Sequence, residues 1–127
     1  MLDRIDIHVE VPRVDYEKLS GDRLGETSES IRQRVQAARN IQSQRFGDSA
    51  NIICNADMRV AEIRQFCKLQ DEGQSLMRAA MSQLQLSARA YHRVLKLSRT
   101  IADLAGSEEI QSVHLAEALQ YRPKMVM

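Results

Sequence analysis

Tryptophan is missing from this chain of 127 residues, and aromatic residues together make up 4% of it. Single-stranded nucleic acid is usually bound by stacking its bases on aromatic rings, so this composition gives such a platform little support. Two prolines and five glycines are also few, whereas hydrophobic residues reach 43%. That mixture is typical of a helical globular protein with a core of its own.

Cysteine is equally scarce, with only Cys54 and Cys67, which lie thirteen positions apart. Two cysteines without a second pair supply neither a zinc-binding spacing nor a disulfide framework, so we expect reduced thiols and a cytoplasmic protein. No apolar run approaches the ~18–20 residues that cross a bilayer, and the charged amino terminus is unlike a signal peptide. The sequence therefore predicts no membrane partner.

Catalytic and metal-binding motifs are missing as well. The histidines His8, His92 and His114 fall in different predicted elements, without the HExxH spacing of a zinc site. There is no GxSxG motif and no GxxxxGK[ST] phosphate-binding loop. We expect no metal site and no turnover of a substrate by this chain alone.

Charge of one sign does not dominate the chain, whose formal net charge is +1. Residues 1–27 carry a net charge of −3, residues 28–106 of +5 and residues 107–127 of −1. An excess of five positive charges in the middle section is moderate. It falls well short of what a dedicated nucleic-acid-binding protein carries.

A period-two pattern is present near the amino terminus, where Ile5, Ile7, Val9 and Val11 alternate with polar residues. It predicts a β-strand that ends at Pro12, yet the chain offers no good second strand. Because a single strand has no ladder partner, we expect a fragment of a longer protein whose sheet is missing. The orphaned segment should then be frayed, docked on the helices or paired between chains.

Helical spacing accounts for most of the remaining chain. Five helices are predicted, at about 28–46, 57–67, 71–84, 87–106 and 112–121, the first capped by Thr27 or Ser28, the second by Asp57 and the third by Asp71. The expected fold is mainly α: a small helical bundle over residues 28–127, preceded by a strand and linker over residues 1–27. The basic helix 28–46 presents either a solvated outer face or an arm for DNA phosphates.

The predicted helix 87–106 has two faces and the clearest end signals in the chain. Ser87 is its cap and Gly106 its stop. Its apolar arc comprises Ala90, Val94, Leu97, Ile101 and Leu104, widened by Tyr91, Leu95, Ala102 and Ala105. Its cationic side comprises Arg89, Arg93, Lys96 and Arg99. Arg89 lies in the first turn, where backbone N–H groups favour an anion, so it is either a phosphate contact or a solvated arginine.

Three segments, taken in order, resemble magnesium-chelatase-like AAA+ proteins. Leu2–Pro12 resembles the end of their ATPase core, Ser87–Leu104 their sensor-2 helix and His114–Arg122 their closing helix. The similarity covers essentially the whole chain and is greatest to the competence-protein M (YifB-type) subfamily. The resemblance implies the carboxy-terminal lid of a ring-forming ATPase that takes part in DNA handling.

Residue roles follow from the same resemblance. Arg4 matches the arginine finger, which reaches the ATP of the neighbouring subunit, and Arg89 matches the sensor-2 arginine; Arg93 is a weaker phosphate or interface candidate. The implied partners are an amino-terminal ATPase core, further copies in a ring, and DNA. ATP and Mg²⁺ are implied for the full-length parent, whereas none should bind tightly here, because the phosphate-binding loop is not in this chain.

Two other functions stay open on the sequence. Residues 84–95 have part of the rhythm of a DNA-binding helix-turn-helix, with Ser87 capping the second helix. Against it, Gln85 and Met81 stand where that motif usually has glycine and alanine. The chain could also be a structural module for subunit association, although we expect a monomer without the core.

Overall fold

Five α-helices form most of the computed structural model, which describes residues 5–9, 11, 25–47 and 51–122. They are α1 (Ser28–Arg45), α2 (Val60–Phe66), α3 (Asp71–Leu84), α4 (Ala88–Leu104) and α5 (Ser112–Gln120), with a 3₁₀ turn at Asn55–Asp57. The predicted mainly helical class is confirmed. Within the described residues, β-pairing is limited to one isolated bridge between Leu69 and Ile110. None of the described helices combines the length and the hydropathy needed to cross a bilayer.

The beginnings of the helices follow local signals. The Thr27 hydroxyl accepts from the Ser30 N–H at 3.2 Å at the start of α1. The Ser87 hydroxyl accepts from the Ala90 N–H at 3.1 Å at the start of α4. Each hydroxyl satisfies one of the backbone donors that a helix leaves without a partner in its first turn. The caps predicted at Thr27 and Ser87 are therefore confirmed.

The predicted caps of α2 and α3 are wrong. Asp71 is the first residue of α3, and the preceding residue, Gln70, makes no capping hydrogen bond through its side chain. At α2 the predicted cap is Asp57. The Asp57 carboxylate accepts instead from the backbone N–H groups of Ile53 and Cys54, at 3.1 and 3.3 Å, and so closes the 3₁₀ turn. These two donors lower the pKa of Asp57. At the start of α2 the Glu62 carboxylate accepts from the Arg59 N–H at 2.9 Å. The error arises because an aspartate hydrogen-bonds nearby N–H groups in turns as readily as in helix caps.

The end of α4 is a Schellman motif. Gly106 has a φ of +72°, a left-handed conformation that glycine adopts without cost. The Ser107 N–H donates to the Ala102 carbonyl at 2.9 Å, and the Gly106 N–H to the Asp103 carbonyl at 3.1 Å. These bonds satisfy the last carbonyls of the helix, so the predicted stop at Gly106 is confirmed.

The core forms around α4, which packs against α1, α2, α5 and the 3₁₀ turn, while α3 packs against α5. Ala102, Ile110, Leu115 and Ala118 are completely buried. Fully burying a side chain of the size of Ile110 or Leu115 contributes about 1.5–3 kcal/mol. The bundle is thus stabilised chiefly where α4 meets α5 and the segment before it.

Four apolar residues of α1 recur at helical spacing, Ile31, Val35, Ala38 and Ile41, and the face that they form is only partly covered in the described structure. Ala38 is buried, whereas Ile31, Val35 and Ile41 are exposed. Burial on α1 is concentrated in its carboxy-terminal part, at Ala38 and Gln42. The remainder of the helix leaves its apolar stripe open to solvent.

The amino-terminal segment lies against the helices and forms no β-ladder within its described residues. The His8 N–H donates to the Tyr121 carbonyl at 2.8 Å, and Asp6 Oδ1 lies 3.0 Å from Arg93 Nε. Of the three expectations for this segment, docking on the helices agrees with these contacts. The apolar side chains of this segment are exposed, namely those of Ile5, Ile7, Val9 and Val11.

Gln85, between α3 and α4, is the non-glycine residue with a positive φ, at +50°, among those described. A side chain in this conformation costs about 1–2 kcal/mol, so Gln85→Gly should raise the free energy of unfolding by about 0.5–1 kcal/mol. Urea denaturation followed by circular dichroism measures it. The matched control Gln83→Gly, inside α3, should instead lower stability by a similar amount. Equal effects at the two positions would contradict the prediction.

Candidate functional site: the first turn of α4 and the ion pairs behind it

Arg89 lies on the first turn of α4, immediately after the Ser87 cap and the first helical residue. Its side chain is exposed, and no ion pair connects it to any other described residue. The helix dipole and the free N–H groups at this end already favour an anion. The structure therefore presents the predicted phosphate-contacting arginine as an accessible cation at a helix amino terminus.

Arg93 and Lys96 follow Arg89 along the same side of α4, but both have partners within this chain. Arg93 is half-buried and lies 3.0 Å from the Asp6 carboxylate. The Lys96 ammonium donates to the Ala56 carbonyl at 3.0 Å. These contacts join α4 to the amino-terminal segment and to the 3₁₀ turn. Arg93 is thus placed as a tether, next to the candidate site but engaged elsewhere.

Arg99 does not belong to an exposed cationic face, and that part of the prediction is wrong. It is only 4% exposed and donates to the carbonyls of Ser107 and Glu108, at 2.8 and 3.0 Å. Its guanidinium also lies 3.2 Å from the Asp103 carboxylate. Burial lowers the pKa of Arg99, while the Asp103 carboxylate opposes that shift.

A buried ion-pair cluster surrounds Asp103, on α4. Arg45, at the end of α1, donates to both Asp103 oxygens, at 2.7 and 2.9 Å. The Asn55 amide donates to Asp103 at 2.9 Å and to the Thr100 hydroxyl at 3.0 Å, and its carbonyl oxygen accepts from Arg45 at 3.0 Å. Planar two-bond pairing of this kind is the strongest form of the arginine–carboxylate interaction. Arg45, Arg99, Asp103 and Asn55 are called the Asp103 cluster below.

Two aromatic rings lie beside Arg45 of the Asp103 cluster. The Arg45 guanidinium lies 5.9 and 6.0 Å from the ring centroids of Phe46 and Phe66, which pack edge to face at 5.4 Å. An arginine in this position is attracted by the ring faces as well as by its carboxylate. The cluster consequently connects α1, the 3₁₀ turn, α2 and the carboxy-terminal half of α4.

One feature of the sequence pointed to the Asp103 cluster, although helical spacing alone does not reveal its partners. Asp103 stands four residues after Arg99, beside the predicted apolar arc, where a lone carboxylate would be costly to bury. Leu104, predicted to be in that arc, is 44% exposed. The buried side of α4 therefore turns toward Asp103 near its end, because α1 and the 3₁₀ turn cover it there.

Pairing also changes the interpretation of the basic helix α1. Arg32 pairs with Glu29, Arg34 with Glu26 and Arg45 with Asp103. The first two are surface pairs, which contribute up to about 1 kcal/mol each and can exchange partners, whereas the third belongs to the buried Asp103 cluster. Among the described residues, Arg39 is the α1 arginine left without an ion pair. The structure thus adds no support for a DNA-binding arm.

Two other predictions concern the role of Arg4 and the absence of a metal site. Arg4 lies outside the described residues, so its role remains a prediction. The structure brings no three His, Cys, Asp or Glu side chains together as a metal site in the part of the chain that it describes. His114 is instead a helix cap, since its Nδ1 accepts from the Gln111 N–H at 3.0 Å.

Five helices, with an exposed arginine on the capped first turn of α4, define a small helical domain of the lid type. The family model described as magnesium chelatase, subunit ChlI C-terminal, matches residues 25–122. The chain belongs to this family, and the predicted relationship to magnesium-chelatase-like proteins is confirmed.

Curated relatives agree with this assignment. The chain is 47% identical over 123 residues to the competence protein ComM of Haemophilus influenzae, and 42% identical over 122 residues to the protein YifB of Escherichia coli. It is 30% identical over 122 residues to an uncharacterized protein of Mycobacterium tuberculosis. These matches cover 95%, 95% and 96% of this chain, but 23%, 23% and 24% of the relatives. The chain therefore spans about a quarter of the length of the proteins that it matches.

Proposed function

We propose that this chain is the nucleotide-sensing lid of an AAA+ ATPase, and that Arg89 contacts a phosphate of ATP as the sensor-2 residue. The observation that carries the proposal is the exposed guanidinium of Arg89 on the capped first turn of α4, which forms no ion pair with any residue in the described part of the chain. A cation placed there adds its charge to backbone donors that already favour a phosphate. The resemblance of Ser87–Leu104 to the sensor-2 helix supports the same role.

The Asp103 cluster would convert that contact into movement of the whole domain. Arg89 and Asp103 stand near opposite ends of α4, and the cluster ties the far end to α1 through Arg45. Because a helix and a bidentate buried ion pair are both stiff, α4 and α1 would move together. Loss of the γ-phosphate after hydrolysis would then release a rigid lid rather than a single side chain.

The other parts of the proposal lie outside the described structure. ATP and Mg²⁺ would bind to an ATPase core that precedes the lid in the parent, and Arg4 would reach the ATP of a neighbouring copy in a ring. The name of the relative ComM associates that protein with competence. For this chain we accordingly propose that ATP hydrolysis in the parent is coupled to DNA handling.

Replacing Arg89 with alanine in the parent ATPase should lower kcat for ATP hydrolysis on the order of 10²-fold, as removal of one positioned donor does in other active sites. Steady-state phosphate release measures the effect. Arg78→Ala is a matched control, because Arg78, on α3, is also an exposed helical arginine without an ion pair to any described residue.

Neither substitution should change the free energy of unfolding of this chain by more than about 0.5 kcal/mol, since both side chains are exposed. A loss of activity confined to Arg89→Ala supports the sensor role. Unchanged activity in that variant rejects it.

The burial of α4 argues against the helix-turn-helix alternative. α4 would be the recognition helix, yet eight of its seventeen residues are buried, and Arg93 and Lys96 are engaged with this chain. A recognition helix must instead present its base-contacting face to the major groove. A role in subunit association remains compatible with the lid, and sedimentation of this chain would test it.

A further inference from the structure

A cavity of about 510 Å³ opens between α2, the start of α3 and the first half of α4. This volume lies in the range of small-molecule sites. Its lining divides into an apolar part, with Ile63, Leu69 and Leu95, and a part rich in hydrogen-bond donors, with Arg64, Lys68 and Tyr91. Cys67, Gln74 and His92 complete it.

The charged residues that line the cavity are all positive. Arg64 and Lys68 both line it, and no carboxylate does. Neither cation forms an ion pair with any residue that the structure describes, in contrast to Arg32 and Arg34 of α1. The Tyr91 hydroxyl likewise has no hydrogen-bond partner among those residues. Three side chains that carry donors and have no partner among the described residues therefore line one cavity, and together they match an anionic group.

The remaining surface of the cavity is suited to a flat apolar body. The Tyr91 and His92 rings lie 5.3 Å apart at its edge, and the buried side chains of Ile63 and Leu95 form its apolar side. Burial raises the pKa of the Cys67 thiol to about 11, so this residue contributes a neutral thiol to the same wall. A neutral thiol packs like a small apolar side chain and is not a nucleophile. Cys67 therefore adds to the apolar surface of the cavity and supplies no reactive thiolate.

We propose that this cavity binds a small anion, a phosphate or carboxylate carried on a flat ring. Arg64 and Lys68 bind the anionic group, and the aromatic and aliphatic side chains pack on the ring. The site is separate from the ATP phosphate proposed for Arg89, because Arg89 is not among the residues that line the cavity. It does not rest on the proposed function.

Titration of the ¹⁵N-labelled chain with phenyl phosphate, monitored by NMR, tests the site. We expect saturable shifts at the backbone amides of residues 63–69 and 91–95, with a Kd in the millimolar range, about what a few such contacts provide. Benzoate should bind at the same residues. Inorganic phosphate has the anionic group without the ring, and phenol has the ring without the anionic group. Each should therefore bind at least about tenfold more weakly than phenyl phosphate.

Variants locate the site. Arg64→Gln combined with Lys68→Gln should weaken phenyl phosphate binding by about tenfold or more, whereas Arg78→Gln and Arg89→Gln should change it by less than about twofold. Because the replaced side chains are exposed, all four substitutions leave the folded spectrum intact to serve as the reference.

Absence of saturable binding by both phenyl phosphate and benzoate overturns the proposal, as does undiminished binding by the double variant. An equal loss in Arg89→Gln would assign the anion to the first turn of α4 and overturn the separate site, while leaving the lid proposal standing.

Discussion

Asp103→Ala is expected to lower the free energy of unfolding by about 3–5 kcal/mol. The Asp103 side chain is completely buried, and those of Arg45 and Arg99 are 12% and 5% exposed. Removing the carboxylate leaves two guanidinium groups beside each other with no counter-charge and deprives the Asn55 amide of an acceptor. Breaking a buried ion pair from one side is costly because the remaining charge stays desolvated. Urea denaturation followed by circular dichroism measures the change.

Three further variants make this result specific. Glu108→Ala removes an exposed carboxylate from the turn after α4 and should stay within about 0.5 kcal/mol of the parent chain. Asp103→Asn retains the shape and part of the hydrogen bonding, so its loss should be intermediate and measurable even where Asp103→Ala does not fold. Adding Arg45→Ala to Asp103→Ala should cost less than the sum of the single effects, since the two residues share one interaction. A loss below about 1 kcal/mol for Asp103→Ala would contradict the role given to the cluster.

In the parent ATPase, Arg4→Ala should lower kcat for ATP hydrolysis by about 10³–10⁵-fold. This expectation rests on the proposed function and on the resemblance of Leu2–Pro12 to the end of the ATPase core. A guanidinium supplied by the neighbouring subunit neutralises the charge that develops on the transferred phosphoryl group. ATP binding should persist, because such a contact stabilises the transition state more than the bound substrate.

Action from the neighbouring subunit gives this prediction a distinctive test. Rings that mix Arg4→Ala subunits with subunits inactivated in their own phosphate-binding loop should regain part of the activity. In those rings the second subunit still offers Arg4 to the intact site of the first. Arg13→Ala, in the same amino-terminal segment, serves as the control and should leave hydrolysis unchanged. Mixed rings as inactive as either variant alone would reject the assignment of Arg4 as an arginine finger.

The positions of the helices were predictable because their ends depend on neighbouring residues. A hydroxyl at Ser87 and a glycine at Gly106 lie within a few residues of the N–H and carbonyl groups that they serve. The accessible Arg89 was predictable for the same reason, since its surroundings are the first turn of its own helix. Asp57 shows the limit of local prediction. Its carboxylate could bond either the N–H groups at the start of α2 or those of the preceding turn, and in the structure it bonds those of the turn.

Long-range packing decided what helical spacing could not. Arg99 and Asp103 are buried because Arg45 and Asn55, about 50 residues earlier in the chain, are brought against the end of α4. A helical projection of α4 contains no information about these partners and treats every arginine as solvated. The cavity beside Arg64 and Lys68 likewise exists only where three separate helices meet.

The sequence by itself thus determined the helical class, the ends of α1 and α4, and the family, because each depends on local hydrogen bonding or on the order of residues along the chain. Only the tertiary structure decided which cations are available. Arg45, Arg93 and Arg99 are engaged with carboxylates, while Arg64, Lys68 and Arg89 remain accessible. The physical reason is that the availability of a charge depends on the groups that folding brings within a few ångströms of it, and those groups come from distant parts of the chain.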